Sequence, residues 1–510
     1  MLVFIVRRLF VSFFVLLAAT FIMYVLVANA GDPLEDLYTS QSVNRDELIA
    51  ARERALLLNV PTPQRYLMWL SGVVGCVVPL AACDLGVNRD GQQVDALLGQ
   101  ALTSTLQLVI TAALLAIVLG VTVGIITALR QYSGLDYTIT FASFLFFSLP
   151  VFWIAVMLKQ YGAIELNDWL AEPRIPVPVI ILLSVVAGLF WMAALAGDRR
   201  RRAISFVGGT LVTAAVLTYL SAVQWFAAPA LGAGGILVLA LAFALAGTLL
   251  TAGFDRRRVL YAALATAAVG FVAYFATGPV LSNPRWYHIL MLLLITAVVA
   301  VALGRVIGGA VDGSQAVKAC LLTGFLTAGA IFAHHVLAAF PEYNRRVGGR
   351  AISTIGSGTP NFEGNFWERF LDSQTHVILP TIAIILISFA SYTRYTRASM
   401  LEVMNQDYVR TARSKGLTER TVIMRHAFRN ALIPVTTLMA FDFAGIVGGA
   451  VITEQVFGWK GMGSLFNEGL RNIDPNPVMA FFIVTGTAIV VFNMVADILY
   501  AYLDPRIRLG

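Results

Sequence analysis

Charge is scarce in this chain. Only 13% of its 510 residues are Asp, Glu, Lys or Arg, and 58% are hydrophobic, whereas an ordinary soluble domain carries roughly 25% charge. So few charges cannot cover a surface that faces water on every side, and the same numbers exclude an intrinsically disordered chain. Cysteine is scarcer still: Cys76, Cys83 and Cys320 are too few for a disulfide scaffold or a metal ribbon. No G-x-x-x-x-G-K-[ST] loop and no Gly-rich strand-to-helix turn occurs, so no nucleotide or other cofactor is expected on this chain itself, and no catalytic residue is assigned. The histidines His288, His334, His335, His376 and His426 never pair at i, i+3 or i+4, and adjacent His334 and His335 point to different helix faces, which argues against a metal site. The net charge of +7 is of the kind that membrane topology produces, so nucleic acid is not expected as a partner.

What the chain has instead is long apolar runs of about 20 residues, the length a helix needs to cross roughly 30 Å of hydrocarbon. They lie near 9–29, 101–128, 137–158, 175–197, 203–223, 228–252, 259–277, 287–304, 319–340, 376–396, 431–453 and 478–502. An all-α polytopic protein with about twelve transmembrane helices follows, multi-pass in the cytoplasmic (inner or plasma) membrane and surrounded by lipid. Basic clusters at Arg7 and Arg8, Arg130, Arg199 to Arg202, Arg256 to Arg258, Arg305 with Lys318, Arg394 to Arg429, and Arg506 with Arg508 all fall on one side. Those clusters hold 22 Lys and Arg, against nine elsewhere once the long external connector 30–100 is set aside. Lys- and Arg-rich loops stay in the cytoplasm, so both termini are expected there. Trp225-Phe226 and Trp286-Tyr287 anchor the opposite interface, while Arg345, Arg346 and Arg350 run against the bias.

The first span also fits a secretory signal, with Arg7-Arg8 ahead of it and Ala28-Asn29-Ala30 behind it. Its apolar run is about 19 residues, longer than the roughly 7 to 15 of a signal core, and an uncleaved helix is expected. Cys76 and Cys83 lie in the external connector, where a disulfide can form. The residues leave a bridge and two free thiols equally open. Cys320 is expected within a helix.

The most informative stretch is Asp407, Tyr408, Val409, Arg410, Thr411, Ala412, Arg413, Ser414, Lys415, Gly416 and Leu417, which continues through Arg420 to Asn430. It reads as two short cytoplasmic helices. Asp407 can cap the first, Gly416 frees the backbone to turn, and Thr418 can cap the second. Small Ala412 leaves room for close docking, and Arg410, Arg413, Lys415 and Arg420 offer charge to partner carboxylates. Composition alone also suits a basic amphipathic helix lying on anionic headgroups.

This segment resembles the coupling loop of binding-protein-dependent ABC permeases, in the form found in dipeptide, oligopeptide and nickel permeases. Further stretches resemble the B-type subunit of that family in the right order: Arg7-Arg8-Leu9 and Gly31-Asp32-Pro33; Gln64-Arg65-Tyr66 with Asp84-Leu85-Gly86; Ser148-Leu149-Pro150-Val151-Phe152-Trp153; His376 to Pro380; Gln406 to Gly416; Glu454 to Gly463; and Asp497 to Arg506. The resemblance covers about 1–158 and 366–510. It implies a permease subunit of an ATP-driven importer for di- or oligopeptides, with nickel or another small solute as the alternative cargo. Six core helices would pair with a second, C-type permease subunit. The coupling loop within 397–430 would sit in a groove of one or two cytoplasmic ABC ATPases that carry the ATP and Mg, and a solute-binding protein would deliver cargo outside. Thr411 stands where the family's loop has the glutamate that names it.

Three parts are therefore expected: 1–158, the N-terminal half of the core; 159–365, an inserted bundle of about six helices; and 366–510, the C-terminal half. An even number of inserted helices keeps the later segments in the orientation that the basic clusters report. Asp442, a carboxylate at depth in the span 431–453, is a candidate for the translocation pathway or a buried partner for the sister subunit. Glu454, Trp459 and Lys460 lie in an external turn and are candidates for contact with the binding protein; a loop of helix-breaking residues is the plainer account. An ion-coupled secondary transporter is the rival of another class, and a membrane scaffold without transport is the third reading. Secondary transporters show internal repeats with midplane charges; here there is no convincing repeat and no more than one clear buried carboxylate, Asp442.

Overall fold

Apolar runs of this length must satisfy their backbone donors and acceptors within themselves, which a helix does. The computed structural model describes residues 2–41, 43–77, 83–195 and 197–503; it is 80% helical, with no strand among those residues. In chain order the main helices are α1 (Leu2–Ala28), α2 (Val94–Leu129), α3 (Gly134–Ser148), α4 (Val151–Lys159), α5 (Val177–Ala194), α6 (Arg199–Ala222), α7 (Gly232–Thr251) and α8 (Arg257–Ala276). Then come α9 (Trp286–Arg346), α10 (Phe366–Met404), α11 (Asp407–Ser414), α12 (Phe428–Gly449), α13 (Val451–Phe457), α14 (Met462–Arg471) and α15 (Pro475–Leu503). The basic pair Arg506 and Arg508, with the end of the Asp497 to Arg506 stretch, lies outside the described residues.

Nine helices among the described residues are long and apolar enough to cross a membrane, or ten if a bent pair is one span, against the twelve expected. The difference has physical sources. The expected span 137–158 is not straight: α3 and α4 meet at 102° around Leu149-Pro150, because a residue preceding proline is pushed out of the helical region. The spans 287–304 and 319–340 share α9, and 431–453 is α12, which is not among the nine. A straight helix as long as α9 would run about 90 Å, three times the hydrocarbon thickness. It breaks at Gly309 (φ 64°, ψ −163°), and a Cβ on Gly304 would fall 2.6 Å from Val317 Cα. The two halves therefore fold back on each other as a hairpin.

The chain divides into two compact units. The first comprises Met1–Gly162, Thr354–Ser357 and Val377–Gly510. Its centre is the crossing of α2 and α10, where Leu108 and Ala112 pack on Val377, Ile384 and Trp459, and Ala116 packs on Tyr392. Further along, Gly120 and Gly124 let the backbones touch: a Cβ on Gly124 would lie 2.7 Å from Thr396 Cβ and 2.8 Å from Thr393 O. In the same unit α1 packs on α15 and, through Tyr24, on Tyr66 and Trp69.

The second unit comprises Ala163–Ser353 and Gly358–His376. One of its core clusters is small in side-chain volume: Ala240, Ala244, Ala262, Ala263, Ala267, Ala300, Ala316 and Ala319 surround Val259 and Cys320, which is inside a helix as expected. Small residues bring helix backbones close where lipid offers no hydrophobic drive. Arg256 pairs with Asp312 at 2.7 Å. Arg345 and Arg346, which oppose the charge bias, both pair with Glu342, and Arg346 also with Glu368 at 3.5 Å.

Candidate functional site

The segment 397–430 grows from the end of α10. Gln406, with extended backbone, takes the N-cap position of α11, and no side chain caps it. The sequence assigns that cap to Asp407, and the structure moves it by one residue. Asp407 is the first helical residue, a position where the helix dipole favours a carboxylate, and sits 3.8 Å from Arg410. One face of α11 is inward: Val409, 0% exposed, and Ala412 pack on Val422, Val403 and Met404. The room beside Ala412 is thus filled by the chain itself. Tyr408, Arg410, Thr411, Arg413, Ser414, Lys415, Gly416 and Leu417 are all exposed.

The turn after α11 is braced. Gly416 adopts φ 76°, a conformation that costs glycine nothing and other residues strain. Across it, Arg413 donates to both oxygens of Glu419 (2.8 and 3.3 Å) and holds that carboxyl below the usual carboxylate range. Asn430 Nδ2 donates to the Tyr408 hydroxyl at 3.1 Å. Thr418 occupies the next N-cap, but its hydroxyl bonds to that of Thr421 (2.9 Å) instead of a backbone amide. The second helix is not a separate short one either: Glu419–Thr421 winds through a π-helical stretch, Val422–Ala427, straight into α12.

A second anchor escaped the sequence reading. Asp136, 2% exposed in the first turn of α3, receives Arg397 of α10 at 2.7 and 2.9 Å and the Tyr132 amide at 3.0 Å. Arg394, one turn earlier, lies over the Phe147 ring at 3.9 Å. The local signal was present: Ser133 caps α3 by accepting from the Asp136 amide (3.2 Å), the [ST]-x-x-[DE] pattern that marks helix starts. Nothing in the sequence pairs Asp136 with a residue 261 positions away.

The turn 454–463 corrects two of its three assignments. Glu454 is 0% exposed and Trp459 1%, so neither offers a surface to a binding protein, whereas Lys460 is exposed. Glu454 is a structural hub. It accepts from the Thr105 hydroxyl (2.6 Å) and the amides of Gly463 (2.7 Å) and Ser464 (3.1 Å), while Thr105 accepts from the Met462 amide (2.8 Å). The Trp459 indole donates to Ser104 O at 3.3 Å. A buried carboxylate with three donors at the start of α14 ties that helix to α2.

Asp442 is half-buried in α12 beside Tyr392 of α10. Cys76 and Cys83 form a disulfide. Among the described residues no group of three or more His, Cys, Asp or Glu is placed to hold a metal ion. Nothing in segment 397–430 sets up a nucleophile with its base; what it offers is a cationic ledge fixed to two long helices.

A chain of long apolar helices with such a ledge is a multi-pass inner-membrane protein. Residues 267–509 match the family described as the binding-protein-dependent transport system inner membrane component. The match begins within α8, ahead of residue 366. Among curated relatives, the oligopeptide transport system permease protein OppB of Mycobacterium tuberculosis is 41% identical over 167 residues, 33% of this chain and 51% of that protein. The oligopeptide permease protein AppB of Bacillus subtilis is 43% identical over 155 residues, covering 30% and 48%. The dipeptide permease protein DppB of Escherichia coli is 42% identical over 140, covering 28% and 41%. The chain thus spans about half the length of the curated relatives it matches, or less.

Proposed function

We propose that this chain is a membrane-spanning permease subunit of an ATP-driven importer of di- or oligopeptides. In this reading it is not itself an enzyme. ATP and Mg are bound by one or two cytoplasmic ABC ATPases, a second permease subunit completes the pathway, and an extracytoplasmic binding protein delivers the peptide. The observation that carries the reading is the ledge Tyr408 to Leu417. Its buried face packs on α10 and on the π-helical stretch that leads into α12, its turn is bridged by Arg413 and Glu419, and its outer face is exposed and cationic. A push on such an element moves the attached helices as a rigid body. The relatives, oligopeptide and dipeptide permease proteins, favour a peptide over nickel as cargo.

Movement of the ledge would rock α10 and α12 and open the pathway alternately to the two sides, with the Asp136–Arg397 pair carrying α3 along. Asp442 is the candidate on that pathway for a peptide's amino terminus, and Asp442→Asn should alter uptake without changing assembly. Arg410→Glu or Gly416→Pro should leave the protein in the membrane while stimulated ATP hydrolysis and uptake fall together. Normal coupling in both variants, or purification that never recovers an ATPase or a second permease, would overturn the proposal in favour of a secondary carrier.

A further inference from the structure

α2 is among the most apolar helices of the described residues, yet one face of its first half is polar. Ala96, Gly99, Gln100, Thr103, Ser104 and Gln107 recur at spacings of three and four and so share a side over about 16 Å. Together with Ser357 and Trp459 they line a groove of about 610 Å³, a volume within the range of small-ligand sites. The opposite side of the same turns, Ala101, Thr105, Leu108 and Val109, is buried in the protein. Gln100, Thr103 and Gln107 are exposed. The groove's edge is fixed, because the Trp459 indole is tied to Ser104 O and its turn is held by Glu454.

The face straddles the start of the apolar run 101–128, and a helix of 36 residues is longer than roughly 30 Å of hydrocarbon requires, so this face meets water, solute or protein. Its chemistry selects among them. None of the residues lining the groove is ionisable. Each Gln side chain offers one acceptor and two donors, and each hydroxyl offers both roles. The Thr103 hydroxyl donates to Gly99 O at 2.9 Å and keeps its acceptor positions. That set matches the alternating N–H and C=O groups of a peptide main chain, and it carries no charge with which to sort side chains.

We propose that the face Gln100–Thr103–Ser104–Gln107 is a main-chain-reading site for the transported peptide, indifferent to its side-chain charge. The inference rests on the peptide-import reading and adds the residues and the mode of recognition. The test uses the assembled transporter, with its partner subunits, reconstituted in vesicles and supplied with labelled trialanine, trilysine or triglutamate. Each variant's uptake is divided by the wild-type rate for the same peptide. The double variant Gln100→Leu, Gln107→Leu should lower all three ratios by a common factor of ten or more. Gln100→Glu, Gln107→Glu should split them, sparing trilysine and suppressing triglutamate. Unchanged ratios in the Leu variant with the complex intact would overturn this site and leave the import reading standing. Loss of the second permease subunit from the Leu variant on purification would overturn it by making the face a subunit interface. A wild-type transporter that imports none of the three peptides would overturn both.

Discussion

Glu454→Ala would strip the acceptor from two amides and a hydroxyl that converge on one buried carboxylate. A buried donor left without a partner costs about 1–3 kcal/mol. The Gly463 amide is buried, the Ser464 amide is partly wetted, and Thr105 can turn its hydroxyl elsewhere, so the total comes to about 3 kcal/mol. That cost falls on the local attachment of the turn 454–463 to α2, not on the whole fold. The exposed Lys460 within it is a trypsin site. When opening and closing are fast, cleavage follows the open population, so about 3 kcal/mol corresponds to roughly 100-fold faster cleavage after Lys460. Glu454→Gln keeps an oxygen for the two amides and turns its own amide toward Thr105, and cleavage should rise no more than about tenfold. Timed digestion in lipid nanodiscs, with mass spectrometry of the peptide that begins at Gly461, measures both. Equal rates for wild type and Glu454→Ala would refute the hub, and equal rates for the Ala and Gln variants would assign the effect to the lost carboxylate charge instead of the hydrogen bonds that Gln keeps.

Three further outcomes are expected. Gly124→Leu would drive a side chain into Thr396 and the Thr393 carbonyl; overpacking of this kind costs about 1–3 kcal/mol, and thermal melting should show it, with Gly124→Ala milder. Arg397→Met leaves the Asp136 carboxylate buried without its cation, a loss of about 3 kcal/mol; adding Asp136→Asn should recover part of it, and a double variant no more stable than the single would count against the pair. Asp474, which accepts from the amides of Arg89 (2.6 Å) and Asn476 (3.3 Å), has its pKa pushed up to about 6 by burial. A folded pKa above the unfolded one gives a contribution that is whole below pH about 4 and lost as pH climbs through about 6. Wild-type melting should therefore fall across that window, and the fall should vanish in Asp474→Asn.

Helix existence was legible because composition dictates it: a run of apolar residues such as 101–128 has no other way to satisfy its backbone in lipid. Turn chemistry was legible where one residue type is needed, as at Gly416. Side-chain destinations were not. Glu454 and Lys460 are six positions apart in the same turn, and only packing against Thr105 decides that one is interior and the other exposed. Asp407 and Gln406 compete for one cap, and the extended backbone at Gln406 settles a difference of one residue that propensity cannot resolve. The partnership of Asp136 with Arg397 joins residues far apart in the chain, which local pattern cannot see. The polar face of α2 was visible as Gln100, Thr103 and Gln107, yet hydropathy averaged over a window hides it.

The alanine-lined cluster of the second unit has a consequence for what its sequence can tolerate. Cohesion there comes from main chains lying almost against one another, so the admissible substitutions are ranked by bulk and hardly at all by oiliness. Serine in place of Ala263 or Ala319 would slip in, bonding back to its own turn as Thr266 already does, while leucine, the better friend of lipid, would prise the helices apart.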